Sequence, residues 1–99
     1  MTVTDNKAAQ ALTTLSKAEE FLAKKGWAKG TLYTSDGRIC LYRAVQLADG
    51  PGEQEAIRII LGCTGSSSIP IWNDAKERTF DDVKTVLACA KVIAQELAE

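Results

Sequence analysis

The sequence predicts a mainly α fold: one compact four-helix domain spanning residues 1–99, with a short β-hairpin or extended segment around residues 31–40. Three observations lead there. The chain has only 99 residues, enough for a single core and no more. Fourteen of those residues are alanine, a strong helix former and too small to build a sheet on bulky branched side chains. The apolar residues also recur at spacings of three and four over long stretches, the period of a helix with one buried face.

The first helix is expected from about residue 4 to residue 25. Ala8, Ala11, Leu12, Leu15, Ala18 and Leu22 form its apolar stripe. Thr4 or Asp5 would cap its start, because a side-chain oxygen can accept from the unpaired amides of the first turn. Lys24 and Lys25 oppose the helix dipole at its end. Gly26 then supplies a left-handed stop, with Trp27 folding back on the last turn. Leu32 and Tyr33, the Asp36-Gly37 turn and then Arg38, Ile39 and Cys40 suggest the hairpin. An isolated ribbon is marginal, so it must lie on the helices. Leu41, Ala44, Val45 and Ala48 then share one helical face, which ends at the Asp49-Gly50-Pro51-Gly52 breaker.

A third helix is expected over residues 53–61. Glu53 and Glu55 sit at its positive end, Ala56, Ile59 and Ile60 face inward, and Gly62 stops it. Residues 63–76 read as the longest irregular stretch. The last helix opens at Thr79, with Asp82 three residues on in a capping-box arrangement. Val83, Val86, Leu87, Ala90, Ile93, Ala94 and Leu97 continue one stripe over about four turns. The first and last helices carry the two longest stripes and should pack together.

Composition excludes several function classes. There are no histidines, so histidine-based triads, histidine metal ligands and a histidine pH switch are absent. Lys and Arg total 12 against 13 Asp and Glu, a net charge of −1. That leaves no basic footprint for nucleic acid. No apolar run approaches the ~20 residues of a membrane span, and residues 1–5 lack the basic start and apolar core of a secretory signal. Cys40, Cys63 and Cys89 are odd in number, widely spaced and without a CxxC pair. They read as reduced structural thiols in a cytoplasmic protein rather than a disulfide framework or a zinc set. Arg38 and Arg43 flank Cys40 at a helix start, a setting that lowers a thiol pKa, while Cys89 looks like a small buried hydrophobe. Gly62 to Ser68 resembles a phosphate loop only superficially. No Gly-Lys-Ser/Thr closes it, and Asp81 and Asp82 open the next helix. Glu19 and Glu20 read as a solvated face, since adjacent helical residues point apart. No cofactor and no metal are expected.

The distinctive local feature is the loop Ile69, Pro70, Ile71, Trp72, Asn73 and Asp74, with Arg78 and Thr79 behind it. Two readings stand side by side. In the first, Trp72, Asn73, Asp74 and Arg78, with Tyr33, form a binding site. Tryptophan supplies area and an indole donor, asparagine reads donors and acceptors, and Asp74 and Arg78 supply charge. In the second, Trp72 plugs the core, Asn73 makes an Asx turn and Asp74 pairs with Arg78.

Gly26-Trp27 with Gly30, Asp36-Gly37 leading into Cys40-Leu41, Ala44, and above all Trp72-Asn73-Asp74 with Arg78-Thr79 and Val83 resemble a family of small proteins of unknown function from actinobacteria and their phages. The resemblance implies a small, mostly helical intracellular protein, with no catalytic residue to carry over. The leading functional expectation is therefore a non-enzymatic cytoplasmic protein-interaction module with a protein partner, in one version phage-encoded and acting on a host protein. The alternative is a small-molecule binder or enzyme with a pocket at the Trp72 loop. A homodimer is a further expectation, since alanine-rich helices approach closely and a small core gains from pairing. Nucleic acid and membrane are not expected partners.

Overall fold

A computed structural model describes residues 6–99. Its elements are α1 (Lys7–Lys25), α2 (Leu41–Leu47), α3 (Glu53–Thr64), α4 (Ile69–Asn73) and α5 (Phe80–Ala98). The fold is mainly helical, as the composition and periodicity predict, with one short helix more than the four expected.

The long helices α1 and α5 run antiparallel, tied at one end and in the middle. Asn6 caps α1, its Oδ1 accepting from Ala9 N at 3.0 Å, and its Nδ2 donates to Ala98 O at the end of α5, also at 3.0 Å. The cap is thus Asn6; the expected caps Thr4 and Asp5 lie outside the described residues. Midway, Lys91 Nζ meets Glu19 Oε1 at 2.7 Å, so Glu19 is a tie between helices rather than a merely solvated carboxylate. Ala11, Leu15, Ala18 and Leu22 from α1 meet Val83, Leu87, Ala90 and Ala94 from α5 in one buried cluster. Alanine at half of these positions lets the helix axes approach, and the leucines and valine fill the space between them. The stripe of α5 fails at its last member: Leu97 is 59% exposed.

Gly26 follows α1 at φ 87°, ψ 160°, a positive-φ stop that favours glycine but lies outside the left-handed helical well. Trp27 then pairs through its backbone with Ile39, and its ring packs against the core. Ile39 is bridged on one side by Trp27, in parallel, and on the other by Tyr33, antiparallel. Ala28 N donates to Ile39 O at 2.8 Å and Ile39 N to Gly26 O at 3.0 Å. Pairing centres on Ile39, so residues 31–40 form an extended segment with isolated bridges and not a regular hairpin.

Cys40 then caps α2, its Sγ accepting from Arg43 N at 3.4 Å. Leu41, Ala44 and Val45 are fully buried, as their spacing predicts. The α2–α3 turn passes against α1 so closely that a Cβ on Gly52 would lie 2.2 Å from Gln10 O; only glycine fits there. Helix α3 runs through Gly62, the expected stop, to Thr64, and ends at Gly65 in the left-handed conformation (φ 71°, ψ 6°). Glycine lowers helix propensity without forbidding it, and the positive φ that ends a helix comes three residues later. Thr79 and Asp82 complete both bonds of the capping box on α5.

The short helix α4 interrupts the stretch expected to be irregular. Ser68 Oγ accepts from Ile71 N at 3.4 Å, and Pro70 occupies its first turn, where a missing N–H costs nothing. Five residues are too few for a periodic stripe to announce, although the cap and the proline carry the local signal.

Candidate recognition site around Trp72

Helix α4 and the turn after it place Trp72, Asn73, Asp74 and Arg78 together. Ile69 and Trp72 point into the core, and Trp72 is only 8% exposed. The Arg78 guanidinium covers the remaining face, with Cζ 3.9 Å from the ring centroid, and Nε donates to Trp72 O at 2.8 Å. Its other tie is to Asp82, at 3.9 Å. A cation over an indole face in a partly desolvated setting contributes about 0.5–2 kcal/mol, so Arg78 acts as a lid on Trp72.

Asn73 is wholly buried and makes four hydrogen bonds, all within the chain. Its Oδ1 accepts from Trp27 Nε1 at 2.7 Å and from Leu41 N at 3.1 Å. Its Nδ2 donates to Ala28 O at 3.1 Å and to Asp74 Oδ1 at 2.9 Å. One amide thus joins the exit from α1, the start of α2 and the end of α4. Asn73 makes no Asx turn; its Oδ1 accepts from Trp27 and Leu41, both distant in sequence. Asp74 extends the knot, its Oδ1 accepting from Gly30 N at 2.8 Å, so Asp74 binds backbone and not Arg78. Lys29 adds a last tie, Nζ donating to Lys76 O at 2.5 Å. The Trp27 ring stacks near Phe80 at 6.3 Å and 19°. Among the described residues no buried side-chain nitrogen or oxygen is left without a partner.

Tyr33 stands apart. It is 64% exposed and lines a shallow depression with Lys25, Thr34, Gly37, Arg43 and Leu47. Arg78 borders another with Ala75, Lys76, Glu77 and Asp82, and Trp72 is in neither wall. The structure therefore brings together four of the five expected site residues. Trp27, Ala28 and Lys29, which complete the knot, were not among the expected site residues. A buried indole N–H needs an acceptor, but nothing local to Trp27 says that this acceptor lies 46 residues away.

The thiols differ from expectation in two ways. Burial pushes the Cys40 thiol up, and Asp74 adds to the effect, outweighing the amides that cap it; flanking arginines do not activate it. Cys89 is exposed on α5 rather than buried. Of the carboxylates at the start of α5, Asp82 is occupied by the capping box, and Asp81 lies 4.0 Å from Lys84. Thr64 and Ser66 bond the backbone of their own turn. Among the described residues, no three Cys, Asp or Glu side chains gather as a metal site, and no helix is long and apolar enough to cross a membrane. In the Trp72 cluster the donors and acceptors of Asn73 serve the fold itself.

No curated protein and no solved structure matches the chain. A family pattern does, over residues 6–91. That span takes in both tryptophans, the Asn73 knot and α5 as far as Lys91, and by it the chain belongs to the family of unknown function DUF6197.

Proposed function

We propose that this protein is a non-enzymatic interaction module that docks on a protein partner in the cytoplasm. The supporting observation is the division of labour around Asn73. The buried amide ties the extended segment to α4, and next to that frame large apolar side chains are left outside. Leu32 is 41%, Tyr33 64% and Ile71 69% exposed. Exposed aromatic and branched side chains on a rigid support lose little entropy on binding. In this reading Tyr33, Asp74 and Arg78 reach the partner, while Trp72 and Asn73 hold the surface in shape. The resemblance to actinobacterial and phage proteins directs the search to a host protein. A small-molecule pocket at the same loop is less favoured, because Trp72 and Asn73 are already engaged by the chain's own groups.

The test compares the wild-type chain with Tyr33→Ser and Ile71→Ser, which touch none of the Asn73 bonds. Both variants should keep the wild-type Tm. A partner captured from actinobacterial host cytoplasm and re-bound in purified form should lose at least about tenfold in affinity. Equal affinity for both variants would refute the assignment. Light scattering at the same concentrations distinguishes a second copy of the chain from a foreign partner.

A further inference from the structure

We propose that Cys63 on α3 and Cys89 on α5 form a dithiol modification site, which a low-molecular-weight disulfide converts to a disulfide joining the two helices. Their sulfurs lie 3.2 Å apart, with the Cys63 thiol donating to Cys89 Sγ. A disulfide needs about 2.0 Å, so the sulfurs must close by roughly 1 Å, within the reach of side-chain rotation on two packed helices. Both thiols are accessible: Cys89 is exposed and Cys63 half-buried. The buried core of α3 and α5 is built from other side chains, with Cys63 packed at its edge and Cys89 outside it. Cys40 is the internal contrast, a buried thiol engaged as the cap of α2. With no third ligand nearby among the described residues, the pair suits redox exchange better than metal binding.

The hydrogen bond orders the chemistry. Burial and the neighbouring Cys89 push the Cys63 thiol up to about 11, so Cys63 keeps its proton, and Cys89, the exposed sulfur of the pair, is the one a small disulfide meets first. The Cys89 thiolate attacks one sulfur of the small disulfide. That S–S bond breaks, and one thiolate leaves and takes up the proton that Cys89 gave to solvent. Cys63 then loses its proton and attacks Cys89 Sγ in the mixed disulfide, expelling the second small thiolate, which is protonated in turn. Two protein thiols are oxidised by two electrons, and one small disulfide is reduced to two thiols.

The experiment incubates the full chain with oxidised glutathione and reads intact mass, linked peptides and Tm. The expected product is a monomer lighter by two hydrogens, with Cys63 linked to Cys89 and Cys40 alkylated only after unfolding. Its Tm should rise by on the order of 10 °C and return to the starting value with dithiothreitol. Cys63→Ser should stop at a stable glutathione adduct on Cys89, and Cys89→Ser should react at least about tenfold more slowly than wild type. A wild-type chain that stops at the adduct, links into dimers or stays reduced would overturn the proposal.

Discussion

Replacing Asn73 with alanine removes four hydrogen bonds at a position with no solvent access. Asp74 keeps the Gly30 amide, but three other partners are stranded. Leu41 N and Ala28 O are buried backbone groups that lose the Asn73 amide as a partner, and the Trp27 indole N–H loses its acceptor. A buried polar group left unpaired costs about 1–3 kcal/mol. With two backbone groups and a half-buried indole affected, Asn73→Ala should cost about 3–5 kcal/mol. That is a large part of the roughly 5–15 kcal/mol that stabilises a domain of this size, and should lower Tm by at least about 15 °C. Urea titration followed by fluorescence of Trp27 and Trp72 measures both the loss and the slope. Asn73→Asp sharpens the test. It keeps an acceptor for Trp27 and Leu41 but sets a carboxylate against Ala28 O and Asp74 Oδ1, where the amide donated at 3.1 and 2.9 Å. Two acceptors facing the introduced group raise its folded pKa above the unfolded value of about 3.9. Its contribution is then fully present below that unfolded value and is lost as pH rises through the folded one. The deficit against wild type should therefore be smallest near pH 4 and largest at pH 7. A cost for Asn73→Ala under about 1 kcal/mol, or a pH-independent deficit for Asn73→Asp, would refute the view that this amide organises the fold.

Two further outcomes follow from the packing and the thiols. Gly52→Ala drives a Cβ to 2.2 Å from the Gln10 carbonyl of α1 and should destabilise by more than about 2 kcal/mol. Gly62→Ala, with open space at its Cβ inside α3, should stabilise by about 0.5–1 kcal/mol; chemical denaturation of the pair measures both, and equal effects would contradict the contrast. For Cys63, whose folded thiol is raised to about 11, stability from this group is complete below the ordinary thiol value and is lost as pH rises through about 11. Wild-type stability should thus fall on the alkaline side more steeply than that of Cys63→Ser, and parallel pH curves would argue against it.

Much of the fold was legible because its signals are local. A stripe at spacings of three and four and the Thr79 capping box each act within a turn or a few turns, so α1, α2, α3 and α5 could be located from the residues alone. The misplacements are also local in origin. Gly62 resembled a stop because glycine is a poor helix former, yet α3 ends three residues later, where Gly65 takes φ 71°. Helix α4 was too short for periodicity, and Leu97 continued the α5 stripe in sequence yet stands 59% exposed. The Trp72 loop stood out through its residue types, but types alone left Asn73 open both to a recognition site and to a turn.

The amino-acid order by itself determined where the long helices run, which faces they bury, and that histidine chemistry is absent. Tertiary structure alone decided what the polar groups do. The partners of Asn73 lie 46 and 32 residues away at Trp27 and Leu41, and Cys63 meets Cys89 across 26. Helix propensity and capping depend on neighbours in the chain. A hydrogen bond between distant residues exists only once the apolar stripes have packed and removed water from both partners, so its identity belongs to the folded core.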